Sequence, residues 1–158
     1  MAIALFAGRF DPVTNGHLDI AKRASALFER VVVGVAYSKS TMFSTEERAG
    51  MFREAIKDQE NVEVSAYTGL TVDFARSKGA TVLIRSMRGS PDFQAEFDQA
   101  LMNRHMAPEI ESVYLISRLE YLYISGTRIR EVASLGYDVS ELVPTHVAEA
   151  LRRKLGKP

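Results

Sequence analysis

The apolar positions of this chain fall into five short runs: Ile3 to Phe6, Val31 to Ala36, Val62 to Ala66, Thr81 to Ile84 and Val113 to Ile116. Several are apolar on both faces, which suits strands of a covered parallel sheet better than strands with one wet side. Between the runs the period changes to that of a helix. Leu18 to Phe28 sets Ile20, Ala21, Ala24, Leu27 and Phe28 on one face, and Ser44-Thr45-Glu46-Glu47 reads as a capping box opening a second helix. Thr71 to Lys78 reads as a third helix, ended by Gly79. Ser90-Pro91 opens a fourth, with Phe93, Phe97, Ala100 and Leu101 expected to face inward. Two shorter helices are expected at Arg128 to Leu135 and His146 to Leu155.

Strand and helix alternate throughout, and parallel neighbours need crossover connections that helices fill on both faces of the sheet. The expected fold is therefore α/β, a doubly wound, Rossmann-like, five-stranded parallel sheet with helices on both faces. No linker, repeat or low-complexity tract interrupts residues 1–158, so one domain is expected. Ligands in such sheets sit beyond the carboxyl ends of the strands. His17, Lys39, Gly69-Leu70, Arg85 and Ser125-Gly126-Thr127 each follow or end a successive strand, so they are expected on one rim.

Composition narrows the ligand. Twenty basic and twenty acidic side chains give a formal charge of zero, so no global field argues for nucleic acid or an anionic membrane, and neither is expected as a partner. An anion must be bound locally. The amino terminus lacks a signal-peptide pattern and no apolar run approaches the roughly 20 residues that span a bilayer, so the cytoplasm is the expected location. With no cysteine, disulfides, zinc-thiolate sites and thiol catalysis are excluded.

Two segments carry the candidate chemistry. Gly8-Arg9-Phe10-Asp11-Pro12-Val13-Thr14-Asn15-Gly16-His17 joins the first strand to the first helix, where unpartnered backbone amides attract phosphate. Ile124-Ser125-Gly126-Thr127-Arg128-Ile129-Arg130 places hydroxyl residues and glycine before another helix, adding donors and two guanidinium groups. Asp11, a lone carboxylate before proline, reads as a turn former rather than a metal ligand. His105 and His146 have no ligand-like spacing, and Met42, Met51, Met87, Met102 and Met106 are expected to pack.

Together, Thr14-Asn15-Gly16-His17 and the Ile124 to Arg130 segment resemble the nucleotidyltransferase superfamily, with its histidine signature and late Ile-Ser-Ser/Gly-Thr segment. Three middle segments are similar to the branch of that superfamily acting on 4′-phosphopantetheine: Lys39-x-x-Met42-Phe43-x-x-Glu46-Glu47-Arg48, Leu83-Ile84-Arg85-x-x-Arg88 and Met102-Asn103-Arg104-His105. The resemblance implies adenylyl transfer from ATP to 4′-phosphopantetheine, giving dephospho-coenzyme A and pyrophosphate, the penultimate step of coenzyme A biosynthesis. Sibling activities on nicotinate mononucleotide, riboflavin phosphate or a polyol phosphate are the alternative, and a nonenzymatic nucleotide-binding module is a further one.

The resemblance also assigns roles. It makes His17 the transition-state stabiliser, assisted by Lys39 and Arg88. ATP would be bound by Arg9, Phe10, His17, Ser86, Met87, Arg88 and Glu96 and by the stretch Tyr121, Leu122, Tyr123, Ile124, Ser125, Gly126 and Thr127. The acceptor would be bound by Arg9, Lys39, Thr71 and Arg85. Magnesium would arrive with ATP, with no metal ligand in the chain itself. A homohexamer, a dimer of trimers, is implied in the same way. The chain departs from the family pattern at Arg9, where threonine or serine is usual, and at Gly126, where serine is commoner.

Overall fold

The structure is a computed structural model describing residues 1–157. Five strands, β1 (Ile3–Gly8), β2 (Arg30–Ala36), β3 (Val62–Tyr67), β4 (Val82–Met87) and β5 (Glu111–Ile116), form one parallel sheet in the order β3-β2-β1-β4-β5. Centrality follows apolarity. The wholly apolar β1 lies in the middle, its Leu5 opposite Val32 and Leu83 and its Phe6 opposite Val33 and Ile84. The edge strands β3 and β5 carry the polar residues Glu63, Ser65, Glu111 and Ser112.

Six α-helices are present among the described residues: α1 (Asn15–Leu27), α2 (Thr45–Ala55), α3 (Thr71–Ser77), α4 (Ser90–Met106), α5 (Gly126–Ser134) and α6 (Thr145–Lys154). Alternation along β1 divides the core. Ala4 and Phe6 join α1, α2, α5 and α6 on one face, whereas Leu5 and Ala7 pack with Val72 and Ala75 of α3 and with Ala107 and Ile110 after α4 on the other. The expected doubly wound arrangement is therefore present. Because α1 and α3 cover opposite faces, the chain reverses direction around β1, opening a crevice at the carboxyl edge of β1 and β4. Among the described residues, no helix is long and apolar enough to cross a membrane.

Local signals explain the helix ends. Ser44 Oγ accepts from the Glu47 amide at 3.1 Å and Glu47 returns the bond to the Ser44 amide, the capping box read from sequence. Gly79, in the left-handed region at φ 70°, ends α3. Helix α1 starts at Asn15 rather than Leu18, because Thr14 caps it, and this puts His17 in its first turn.

The apolar side of α4 does not face inward. Phe93, Phe97 and Leu101 are 52%, 47% and 53% exposed, Met102 lies open beside them, and Asn103 is the buried residue of this helix. Leu27 of α1 is likewise exposed. Periodicity identifies an apolar stripe but not what covers it; on α4, one chain leaves it bare.

Candidate active site

The turn after β1 is held by packing. Phe10 adopts a left-handed backbone conformation, φ 51°, uncommon for an aromatic residue. Its buried ring meets Phe6, Phe52 and His17 edge-on, with centroids 5.2, 4.8 and 4.9 Å away. Arg9 is left exposed over the crevice. Asp11 does more than shape the turn. Its carboxylate accepts from the amides of Met42 and Phe43 at 2.8 and 3.0 Å and lies 3.4 Å from Arg130.

His17 is fixed by the cap of its own helix. Thr14 Oγ1 accepts from the His17 amide at 3.3 Å, and His17 Nδ1 accepts from the Thr14 amide at 3.0 Å. An imidazole takes the place usually held by glutamate in a capping box. Since Nδ1 accepts from an amide, the neutral ring carries its hydrogen on Nε2. Burial, and then the positive charge of Arg88, pushes His17 down to about 4. The ring is therefore a neutral donor at physiological pH.

His17 lines a cavity of about 360 Å³ with Arg9, Phe10, Ser86, Arg88, Glu96, Tyr121, Ile124, Ser125, Gly126 and Thr127. The two motifs, remote in sequence, thus share one cavity. Ser125 caps α5 by accepting from the Arg128 amide at 3.1 Å, which leaves the first amides of that helix for an anion. Gly126 permits a close approach: a Cβ there would lie 3.1 Å from the Asp11 carbonyl oxygen. Arg130 bonds that same carbonyl and lines the cavity, while Arg128 turns outward to Glu131. Arg88 Nη1 donates to the Ile124 carbonyl at 3.1 Å and Nε pairs with Asp92 at 3.3 Å, spanning the two sides of the cavity.

A smaller cavity of about 110 Å³ adjoins, lined by Gly8, Arg9, His17, Arg85, Ser86 and Glu96 among others. Glu96 holds the Arg85 guanidinium with two bonds of 2.9 Å and keeps it firmly charged. Thr71 and Arg85 line a third cavity, and Thr71 Oγ1 lies 2.9 Å from Tyr67 Oη. Lys39 is exposed on the loop whose Ser40 and Thr41 line the main cavity. Met87, at the end of β4, and the half-buried Leu122 are not among the residues lining the main cavity, and Tyr123 faces a separate groove with Arg128 and Tyr137. Gly69 and Leu70 are not among the residues lining the main cavity.

Sequence reasoning did not single out Ser40, Thr41, Asp92 and Ser117, which also line the main cavity. Their signal was positional only, each lying shortly beyond a strand's carboxyl end. Among the described residues, no three His, Asp or Glu side chains gather as a metal site.

The geometry predicts that His17 does not titrate in the neutral range. Its ring-proton resonances in the free protein are expected to move with a midpoint of about 4; a midpoint near 6.5 contradicts the capped, neutral ring. The unfolded chain binds this proton first as pH falls, so stability falls from about pH 6.5 to 4 and is unaffected by this group above that window.

Comparison with known proteins agrees with the geometry. The cytidylyltransferase-like family profile matches residues 5–132. Phosphopantetheine adenylyltransferase from Roseiflexus sp. (strain RS-1) is 48% identical over 99% of both chains. The enzyme of that name from Desulforudis audaxviator (strain MP104C) is 48% identical, over 99% of this chain and 97% of its own. A bifunctional NMN adenylyltransferase/ADP ribose pyrophosphatase from Francisella tularensis superposes with a TM-score of 0.76 at 16% identity, covering 99% of this chain and 51% of that one. A putative nicotinate-nucleotide adenylyltransferase from Vibrio parahaemolyticus gives 0.69 at 22% identity, covering 94% and 97%. These two likenesses speak to the fold. High identity along nearly the whole length, with both motifs lining one cavity, places this chain in the phosphopantetheine adenylyltransferase family of the nucleotidyltransferases.

Proposed function

We propose that the whole chain acts as one nucleotidyltransferase domain, binding ATP and 4′-phosphopantetheine together and transferring the adenylyl group between them. An oxygen of the acceptor phosphate attacks the α-phosphorus of ATP. The bond from that phosphorus to the bridging oxygen breaks, releasing pyrophosphate and leaving dephospho-coenzyme A. The nucleophile is already anionic near neutral pH, so no proton has to be removed. Catalysis is then positioning of two polyanions and stabilisation of charge on the transferring group.

The single observation that carries this reading is the shared cavity of His17 and Thr127, with Arg9, Arg88 and the amino end of α5 around it. A neutral Nε2–H supplies a donor without adding a cation to be desolvated, while Arg9 and Arg88 supply charge. Lys39 and Arg85, with Thr71, serve the acceptor, and the wall formed by Tyr121 and by Ile124 to Thr127 serves the nucleotide. Glu96 acts here through Arg85, whose fork it orients.

Magnesium fits as an ion carried by the nucleotide. Asp11 is occupied by two loop amides and Arg130, and Asp92 by Arg88, so neither carboxylate is available for a protein cage. When bound, the ion would neutralise phosphate charge. A Francisella tularensis relative by fold is described as complexed with AMP and a manganese ion. ATP and a phosphorylated acceptor place the enzyme in the cytoplasm in this reading. The bare α4 stripe of Phe93, Phe97 and Leu101 suits burial between copies, and we assign it to the homohexamer.

An acceptor panel with ATP and CTP tests the reaction. Pyrophosphate is expected with ATP and 4′-phosphopantetheine; release only with nicotinate mononucleotide, riboflavin phosphate or a polyol phosphate refutes the assignment. His17→Ala is expected to lower kcat by about 100- to 1000-fold with the fold retained, the scale for losing one transition-state donor. For the assembly, light scattering is expected to give the mass of six chains and Phe97→Glu a smaller species. A monomeric wild type removes the assignment of α4.

A further inference from the structure

Position 48 lies four residues before Phe52 on the buried side of α2, where helical periodicity calls for an apolar side chain. It is arginine, and it is 0% exposed. A guanidinium is costly to bury unless its N–H groups find acceptors. Nε donates to the Phe43 carbonyl at 3.1 Å, Nη1 to the carbonyls of Arg9 at 2.6 Å and Ala36 at 2.9 Å, and Nη2 to Thr45 Oγ1 at 2.8 Å. All four acceptors are neutral. An ion pair therefore does not account for the choice of arginine; the shape of the fork does, since it reaches several oxygens at once.

Those oxygens belong to the ends of β1 and β2 and to the start of α2. Asp11 supplies the opposite polarity, accepting the amides of Met42 and Phe43. The β2–α2 loop is thus fastened to the phosphate turn twice, through a carbonyl by Arg48 and through two amides by Asp11. That loop carries Lys39, Ser40 and Thr41, whereas the turn carries Arg9 and leads to His17. Arg48 itself is not among the residues lining the main cavity.

We infer that Arg48, acting with Asp11, is a positioning residue that holds the Lys39 to Thr41 segment in register with His17, so that acceptor and nucleotide meet in line. The inference rests on the reaction proposed above. It concerns the side of the site formed by the turn and the Lys39 to Thr41 segment more than the opposite wall, which is built from α5 and the segment before it.

Kinetics of Arg48→Lys and Arg48→Ala, with hydrogen exchange on the wild type, test it. In Arg48→Lys, kcat/KM for 4′-phosphopantetheine is expected to fall by about 100-fold, the scale of a small misplacement of reacting groups. ATP affinity by calorimetry is expected to fall much less, because the α5 wall and Arg88 are untouched. Arg48→Ala is expected to regain activity with non-denaturing guanidinium but not with methylammonium, a rescue that general destabilisation does not give. In the wild type, the Met42 and Phe43 amides are expected to exchange as slowly as those of the sheet, a readout independent of whether either variant folds. Rapid exchange there, wild-type acceptor kinetics in Arg48→Lys, or a parallel loss of ATP binding without guanidinium rescue overturns the inference. A wild type that turns over no 4′-phosphopantetheine instead refutes the reaction, and slow exchange at the two amides keeps that failure distinct from failure of the fastening.

Discussion

The reciprocal hydrogen bonds between Thr14 and His17 decide most of what this site can do. They satisfy two amides at the start of α1, as any capping box does, and they use the imidazole to do it. Three chemical properties follow from that one arrangement. The ring orientation is set by the helix rather than by a flexible side chain, the hydrogen resides on Nε2, and protonation would break the cap by turning Nδ1 into a donor. Burial and Arg88 act in the same direction, holding His17 down at about 4. A structural device of the fold thus also prepares a neutral donor.

A neutral histidine among arginines suits a reaction between two anions. Attraction of phosphate comes from guanidinium groups and from amides at a helix start, whose partial charges are fixed before any ligand arrives. Arg85 is kept from wandering by Glu96, and Arg88 by Asp92 and the Ile124 carbonyl. Each pairing limits rotamers while leaving one side of the cation toward the cavities. In the proposed reaction no general base is required, and none is built: each carboxylate lining the main cavity is already engaged by a guanidinium or an amide.

Neighbouring strand ends are joined by buried polar groups rather than by apolar packing alone. Asp11 and Arg48 take up the amides and carbonyls that a loop beyond a parallel strand leaves unpaired, so the loop gains order without becoming a helix or strand. Gly126 belongs to the same arrangement. Its missing Cβ lets α5 approach the Asp11 carbonyl, which Arg130 then reaches. The unusual residue at this position therefore shapes the approach of two elements as well as removing a hydroxyl.

The amino-acid order alone determined the parallel sheet, since runs such as Ile3 to Phe6 and Val31 to Ala36 are apolar on both faces and must be covered twice. It determined the capping box at Ser44, the stop at Gly79 and the direction of every strand, and direction alone sends the ends of all five strands to one rim. Partners across the fold were beyond it. That Glu96 binds Arg85, that Asp11 collects amides from a loop 31 and 32 residues on, and that an arginine lies at a core position of α2 depend on which surfaces meet, and local periodicity contains no such distances. For the same reason the stripe of Phe93, Phe97 and Leu101 was legible as apolar but not as outward-facing. A helical pattern records which residues share a side; only packing against a particular neighbour decides whether that side is inside.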